Sequence, residues 1–269
     1  MSTGPRISFV LPCFNEGARI ASSLSTVESW FAGAEIIVVD DGSADDTVER
    51  AQRYASSRPG IRVHRLPQHR GKGAALRAAI PLVRGELVVF MDADLAFGSE
   101  SVVRALDALT HADIAVGNRR DRDSYYSVPV RLFGFLYRRH LTGLLFNAFV
   151  RWLVGVKSFD TQCGLKAFRR ACLESMAPAL SIDGFALDVE MLVVAGALGA
   201  QIAAVPVHVR YETPKSTVGF LPSAPSVLSD LFRIAVRRLL GKYAPGRLHA
   251  LAAASASKRS GSKAVRKLL

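Results

Sequence analysis

The chain lacks most features of a secreted or membrane-spanning protein. Only three cysteines, Cys13, Cys163 and Cys172, occur in 269 residues, widely spaced and without a Cys-x-x-Cys pair. This argues against a disulfide framework or structural zinc and for a reducing compartment. No secretion signal is read: the apolar run after Arg6 soon meets Asn15 and Glu16, so export is not expected. The stretch nearest to a membrane span, residues 191–209, is interrupted by Gly196, Gly199, Gln201, Pro206 and His208. It divides more naturally into a helix and a strand. Gly-x-Gly-x-x-Gly and Gly-x-x-x-x-Gly-Lys-Ser/Thr are both absent, which removes dinucleotide and P-loop readings. Acids are scarce as well: 23 against 35 Lys and Arg give a net charge of +12. Over residues 216–269 a single acid, Asp230, stands against ten bases. That asymmetry points to an anionic partner for the C-terminal part, a membrane surface or a nucleic acid.

What is present is an alternation of strand and helix. At 49% hydrophobic residues the chain can bury a full core. Residues 6–12 read as a strand, and a helix opening at Asn15-Glu16 carries Ile20, Leu24, Val27 and Phe31 at helical spacing. Residues 35–39 form a second strand, after which Ser43 caps a helix with Asp46 three positions on. A third strand spans 61–65, a helix runs from Gly71 to about Val83, and 86–91 is a strand apolar enough to be buried on both faces. A short strand at 113–117, a helix ending near Gly199 and a strand at 201–209 follow. The pattern predicts an α/β fold with a parallel sheet and right-handed crossovers.

Three polar clusters fall at the carboxyl ends of these strands, where open α/β sheets bind ligands. They are Pro12 to Glu16, Asp40-Asp41, and Asp92-Ala93-Asp94. Asp92 and Asp94 make a hard oxygen site suited to Mg²⁺ or Mn²⁺. Gly71-Lys72-Gly73 opens a helix start to an anion, with Lys72 supplying charge. Together they suggest a nucleoside diphosphate held by Lys72 and a metal.

Val10-Leu-Pro-Cys-Phe-Asn-Glu16, Ile36-Ile-Val-Val-Asp-Asp-Gly-Ser43, Gly71-Lys-Gly-Ala74 and Asp92-Ala-Asp94 resemble family 2 glycosyltransferases of the GT-A fold. Asp160-Thr-Gln-Cys-Gly-Leu-Lys-Ala-Phe168 and Phe185-Ala-Leu-Asp-Val-Glu190 resemble the branch that makes polyprenyl-phosphate sugars, nearest to dolichyl-phosphate β-glucosyltransferases. The resemblance spans roughly residues 7–238. It implies a GT-A (Rossmann-like) mixed sheet flanked by helices. It further implies inverting transfer of glucose or a related hexose from a nucleotide sugar, UDP-linked, to a polyprenyl phosphate. Residue by residue it gives Pro12, Asn15, Glu16, Asp40 and Asp41 to the nucleoside. Asp92 goes to ribose or metal, Asp94 to the metal, and Lys72 to the base or diphosphate. Arg119 and Arg131 match basic positions on the acceptor-phosphate side, Asp188 an orienting or catalytic acid, and Lys215 a loop that closes over donor and phosphate; Glu190 reads as structural. Gln162 matches without a defined chemistry. Mannose-type relatives place Gln or Ser at the position of Ala96, which cannot ligate a metal and so favours the glucosyl type.

Between residues 128 and 156, Phe133, Phe135, Tyr137, Phe146, Phe149 and Trp152 are interleaved with Arg131, Arg138, Arg139 and Arg151. Such segments fit helices lying in a membrane interface. Residues 226–242 repeat the pattern. The expected organisation is a nucleotide-sugar and metal half at 1–125, an acceptor half with membrane-facing amphipathic helices at 126–245, and a basic disordered tail at 246–269. The expected location is peripheral on the cytoplasmic membrane face. Nucleotide sugar, polyprenyl phosphate and an anionic membrane surface are the expected partners, without nucleic acid. Two other readings stay open: a family 2 enzyme glycosylating a hydroxyl of a polysaccharide or glycolipid, and a non-enzymatic basic adaptor for membrane or nucleic acid.

Overall fold

A computed structural model describes residues 6–127, 150, 160–210 and 220–254. Its centre is a seven-stranded sheet in the order β3-β2-β1-β4-β7-β5-β8. The strands are β1 (Ile7–Cys13), β2 (Glu35–Asp40), β3 (Ile61–Arg65), β4 (Leu87–Phe90), β5 (Ile114–Asn118), β7 (Lys166–Arg169) and β8 (Ile202–Pro206). The apolar runs seen in the sequence become its interior: Phe9, Val10, Leu11, Ile37, Val38, Val39, Val88 and Val89 are fully buried. Helices α1 (Ile20–Trp30), α2 (Thr47–Ala55), α3 (Lys72–Ala79) and α4 (Ser99–Ala108) connect the strands of the first half. The register of β1, with Val10 opposite both Ile37 and Phe90, sets the ends of β1, β2 and β4 at one rim.

The sheet is mixed. β7 lies antiparallel between β4 and β5, whereas all other neighbours pair in parallel. Strand–helix alternation predicts only parallel pairs, and β7 is missed because Lys-Ala-Phe-Arg is short and carries a lysine at its start. A parallel ribbon of β6 (Tyr125–Ser127) and β9 (His208–Arg210) lies beside the loop after β4, through the Phe97–Val209 bridge and the Arg210 N–H donating to Ala96 O at 2.8 Å.

Several helix starts differ from the sequence reading. Helix α1 begins at Ile20, because Asn15 sits at φ 54° with its side chain engaged elsewhere. Ser43 does not cap α2: its hydroxyl goes to Asp40, and α2 starts at Thr47 without a side-chain cap. Helices α5 (Arg170–Met176), α6 (Leu187–Ala197) and α7 (Phe220–Leu239) follow. Helix α8, residues 245–254, stands where a disordered tail is expected to begin. Pro245 suits the first turn of a helix and the alanines that follow are strong helix formers, while Leu248 is buried. The aromatic segment 128–156, apart from the buried Val150, lies outside the described residues, as does the tail beyond residue 254.

Candidate active site

The first two rim loops are tied to each other. The Asn15 N–H donates to Ser43 Oγ at 2.8 Å, the Ala44 N–H to Asn15 Oδ1 at 2.9 Å, and the Glu16 N–H to Thr47 Oγ1 at 2.8 Å. Pro12 is half-buried in β1. Asp40 is fully buried and accepts from the N–H and hydroxyl of Ser43. Asp41 accepts from the Arg70 and Gly71 N–H groups at 2.9 and 2.7 Å, with His69 Nδ1 at 2.8 Å. Both carboxylates therefore hold the loops that shape this end of the rim.

The glycines beside Lys72 have a different use from the expected one. Gly71 sits at φ +119°, and a Cβ there would come 2.6 Å from Asp183 O. At Gly73 a Cβ would lie 2.7 Å from the carbonyl oxygens of both Ile182 and Gly184. The pair makes room for the 182–184 backbone. The Ala74 N–H donates to Asp183 O, and Arg70 and Arg77 pair with the Asp183 carboxylate at 2.7 and 2.6 Å.

This packing delivers Lys72, the first residue of α3, to the acids. Its Nζ is 2.6 Å from Asp92 Oδ1 and 4.0 Å from Asp188 Oδ2. The other oxygen of Asp188 lies 2.8 Å from the Nζ of Lys166, which is buried in β7 and also donates to Cys163 O at 2.7 Å. A chain of alternating charge, Lys166–Asp188–Lys72–Asp92, thus links the sheet centre to the rim. Burial disfavours the Lys72 ammonium, but Asp92 and Asp188 outweigh it and hold its pKa above the ordinary lysine value. Asp94 stands beside Asp92 with Oδ1 accepting from the Ala96 N–H at 3.1 Å, and burial, then the Asp92 charge, raises its pKa. Between them and Ala96, Leu95 holds φ 48°, a region costly for a bulky side chain and found at functional turns.

Two adjacent carboxylates whose charges oppose each other fit a hard divalent cation. No third His, Cys, Asp or Glu completes a metal cluster among the described residues. A cation here would therefore take its remaining ligands from a bound diphosphate and water.

Arg119 faces Asp160: Nε to Oδ2 is 2.7 Å, Nη2 to Oδ1 2.8 Å and the backbone N–H to Oδ2 3.1 Å. This fork outweighs burial and holds the Asp160 carboxyl below its ordinary range. From Asp160 the chain crosses to the acids, so that a Cβ on Gly164 would collide with the Asp92 carboxylate. Gln162, midway along this crossing, has its Nε2 buried without a hydrogen-bond partner. Arg131 and Lys215 lie outside the described residues. Glu190 accepts from the Ser181 and Ile182 N–H groups and from Tyr243 Oη, anchoring the 181–184 loop. Sequence reasoning assigns no role to Lys166 or Asp160; the available signal is a lone lysine inside the apolar Gly164-Leu-Lys-Ala-Phe168.

This mixed sheet, with an acid pair following its central strand, matches the fold of solved GT-A glycosyltransferases. The chain belongs to glycosyl transferase family 2, whose sequence model matches residues 8–173. It is 32% identical over 253 residues to the dolichyl-phosphate beta-glucosyltransferase of Dictyostelium discoideum, covering 87% of this chain and 75% of that protein. It is also 32% identical over 220 residues to dolichyl-phosphate beta-glucosyltransferase ALG5C of Trichomonas vaginalis, covering 75% of this chain but only 63% of that one's length. Among solved structures, glucosyl-3-phosphoglycerate synthase from Mycobacterium tuberculosis in complex with phosphoglyceric acid superposes with a TM-score of 0.62 at 26% identity, covering 86% of this chain and 80% of that one. The same enzyme in complex with Mn²⁺, UDP and glucosyl-3-phosphoglycerate gives a TM-score of 0.57 at 25% identity over 89% and 80% of the two chains.

Proposed function

We propose that the protein transfers a hexosyl group, glucose or a close relative, from a UDP-linked donor to a polyprenyl phosphate at the cytoplasmic face of a membrane. The observation that carries the choice of acceptor is the state of Asp188. One oxygen is held by buried Lys166 at 2.8 Å and the other faces Lys72 at 4.0 Å. A carboxylate between two ammonium groups is poorly placed to deprotonate a hydroxyl. A phosphate monoester needs no such base, because its second pKa near 6 leaves it mostly dianionic at neutral pH.

The work left to the protein is positioning and charge balance. Asp92 and Asp94 would hold Mg²⁺ or Mn²⁺, which supplies charge neutralisation for the departing diphosphate when bound. Lys72, 2.6 Å from Asp92 and 4.0 Å from Asp188, would add positive charge beside the same diphosphate. Asn15, Glu16, Pro12, Asp40 and Asp41 form the nucleoside end within residues 1–125. Arg119, at the end of residues 1–125 with its plane fixed by Asp160, serves the acceptor phosphate together with Arg131 and Lys215 of residues 126–245. The dolichyl-phosphate acceptor named for the relatives supports this reading.

The membrane side of the proposal rests on α7. No helix among the described residues is long and apolar enough to cross a membrane. Leu231 and Ile234 of α7 are buried against the body, whereas Leu228, Phe232, Leu239 and Leu240 are 50%, 67%, 87% and 66% exposed. Arg233 and Arg238 border that face. An apolar helix face edged with arginines fits the headgroup region of an anionic bilayer.

The test is purified protein with Mg²⁺ or Mn²⁺, a panel of UDP-sugars and a polyprenyl monophosphate, read as lipid-linked sugar. Product is expected, and none across the panel with folded protein sinks the proposal. A second reading, a hydroxyl acceptor on a phosphorylated acid, is favoured by the fold match to glucosyl-3-phosphoglycerate synthase. Asp188→Asn separates the two: loss of about tenfold fits the lipid phosphate, whereas loss of about 10³-fold or more fits a hydroxyl acceptor that needs a base.

A further inference from the structure

We infer that Gln162 reads the transferred sugar: its side-chain amide bonds a hydroxyl of the donor hexose and so helps to decide which hexose is accepted. The inference rests on the glycosyl-transfer reading above and deepens it.

Position is the first support. Gln162 lies two residues from Asp160, the partner of Arg119 at 2.7 and 2.8 Å. It lies two residues in the other direction from Gly164, whose missing Cβ leaves room for the Asp92 carboxylate. Cys163 between them is fixed against Gly117, where a Cβ would come 2.6 Å from its sulfur, and its carbonyl accepts from buried Lys166. The loop is therefore pinned on both sides of Gln162 and bridges the acceptor-phosphate arginine and the diphosphate end. The transferred hexose would lie between the diphosphate and the acceptor phosphate, the two groups that the ends of this span adjoin through Asp92 and Arg119.

The second support is energetic. Gln162 Nε2 is buried and unpartnered. A buried polar group without a partner is costly, and the cost is recovered when a ligand atom satisfies it. The other buried side-chain nitrogen in this condition among the described residues, His208 Nδ1, belongs to the β6–β9 ribbon. A neutral amide suits a neutral hydroxyl better than it suits a phosphate, for which the nearby arginine is the stronger donor. A hydroxyl both donates and accepts, so it answers either end of the amide.

The consequence is a trade between stability and selectivity that a structural glutamine would not show. Gln162→Met keeps the volume and removes the unpaired group. Four readings are taken on wild type and variant: the melting temperature of free protein, stabilisation by UDP, kcat/KM for UDP-glucose and UDP-galactose, and KM for the polyprenyl phosphate. Gln162→Met is expected to melt at the wild-type temperature or above, with UDP stabilisation and acceptor KM unchanged. Its kcat/KM for the preferred hexose should fall about 10- to 100-fold and its preference between the two C4 epimers should collapse. Gln162→Asn, with the amide one methylene short, should recover stability effects only and leave discrimination weak. A lower melting temperature with equal losses for both sugars assigns Gln162 to structure and overturns the inference. Unchanged discrimination overturns it too. A raised acceptor KM with unchanged discrimination moves the contact to the phosphate and likewise overturns it. If wild type neither binds UDP nor transfers any sugar, the glycosyl-transfer reading itself has failed, and this one with it.

Discussion

Lys166 is the residue whose burial matters most to the charge pattern at the site. It is 1% exposed, and its ammonium is balanced by Asp188, itself 6% exposed. Removing Lys166 leaves the buried Asp188 charge with only the more distant Lys72, at 4.0 Å, to offset it, at a cost of up to about 3–5 kcal/mol. Lys166→Met should therefore lose about that much in urea unfolding, and Lys166→Met combined with Asp188→Asn should recover much of it. A double variant no more stable than the single would show that the pair is not the source of the loss. Asp160 gives a pH signature. Its folded pKa lies below the ordinary 3.8 because Arg119 outweighs burial. The stabilisation is thus full above that ordinary value and disappears as pH falls through the lower, folded one. The stability gap between wild type and Asp160→Asn should be constant from pH 7 to about 5 and close in strong acid below about 4.

At the scale of elements, the start of α3 meets the 182–184 loop backbone against backbone. Gly73→Ala would set a methyl 2.7 Å from two carbonyl oxygens of the 182–184 loop. Neither can yield without shifting α3, so a destabilisation of about 1–3 kcal/mol in thermal unfolding is expected, with weakened UDP binding as Lys72 is displaced. An unchanged melting temperature would refute this tight fit. The strands that carry the rim were legible in the sequence because β1, β2 and β4 are uninterrupted apolar runs. Helix starts were less so: Asn15 and Ser43 look like caps, yet Asn15 Oδ1 accepts from Ala44 of the neighbouring loop and the Ser43 hydroxyl donates back to Asp40. β7 was illegible, being a four-residue strand whose buried lysine is explained only by Asp188, far along the chain. The motif acids of the site could be read from sequence. Their cation partners could not, because pairing across the fold leaves no local periodicity.

At the scale of the whole molecule, the basic C-terminal sequence includes α7, where Arg233 and Arg238 are exposed along with Leu228, Phe232 and Leu239. Over residues 216–269 ten bases stand against Asp230 alone, and that acid is turned toward Gly184, where a Cβ would meet it at 2.6 Å. Binding to anionic vesicles should weaken with rising salt, as screening demands. Phe232→Ser with Leu239→Ser should reduce it by about tenfold or more, since each buried side chain contributes about 1.5–3 kcal/mol. Sedimentation with vesicles of stated phosphatidylserine content reads both effects; equal binding by the variant would remove α7 from the interface.

The antiparallel β7 also governs the order of assembly. β4 cannot be covered on its second side until Lys166 to Arg169 has been made, and β7 in turn joins β4 to β5. During synthesis the first four strands therefore emerge with an open edge on β4, the kind of edge that pairs with other chains. The same strand that positions Lys166 under the active site is the last piece that closes the edge of β4. An enzyme that has not finished its sheet thus has neither the charge chain nor protection from aggregation, and the two arrive together.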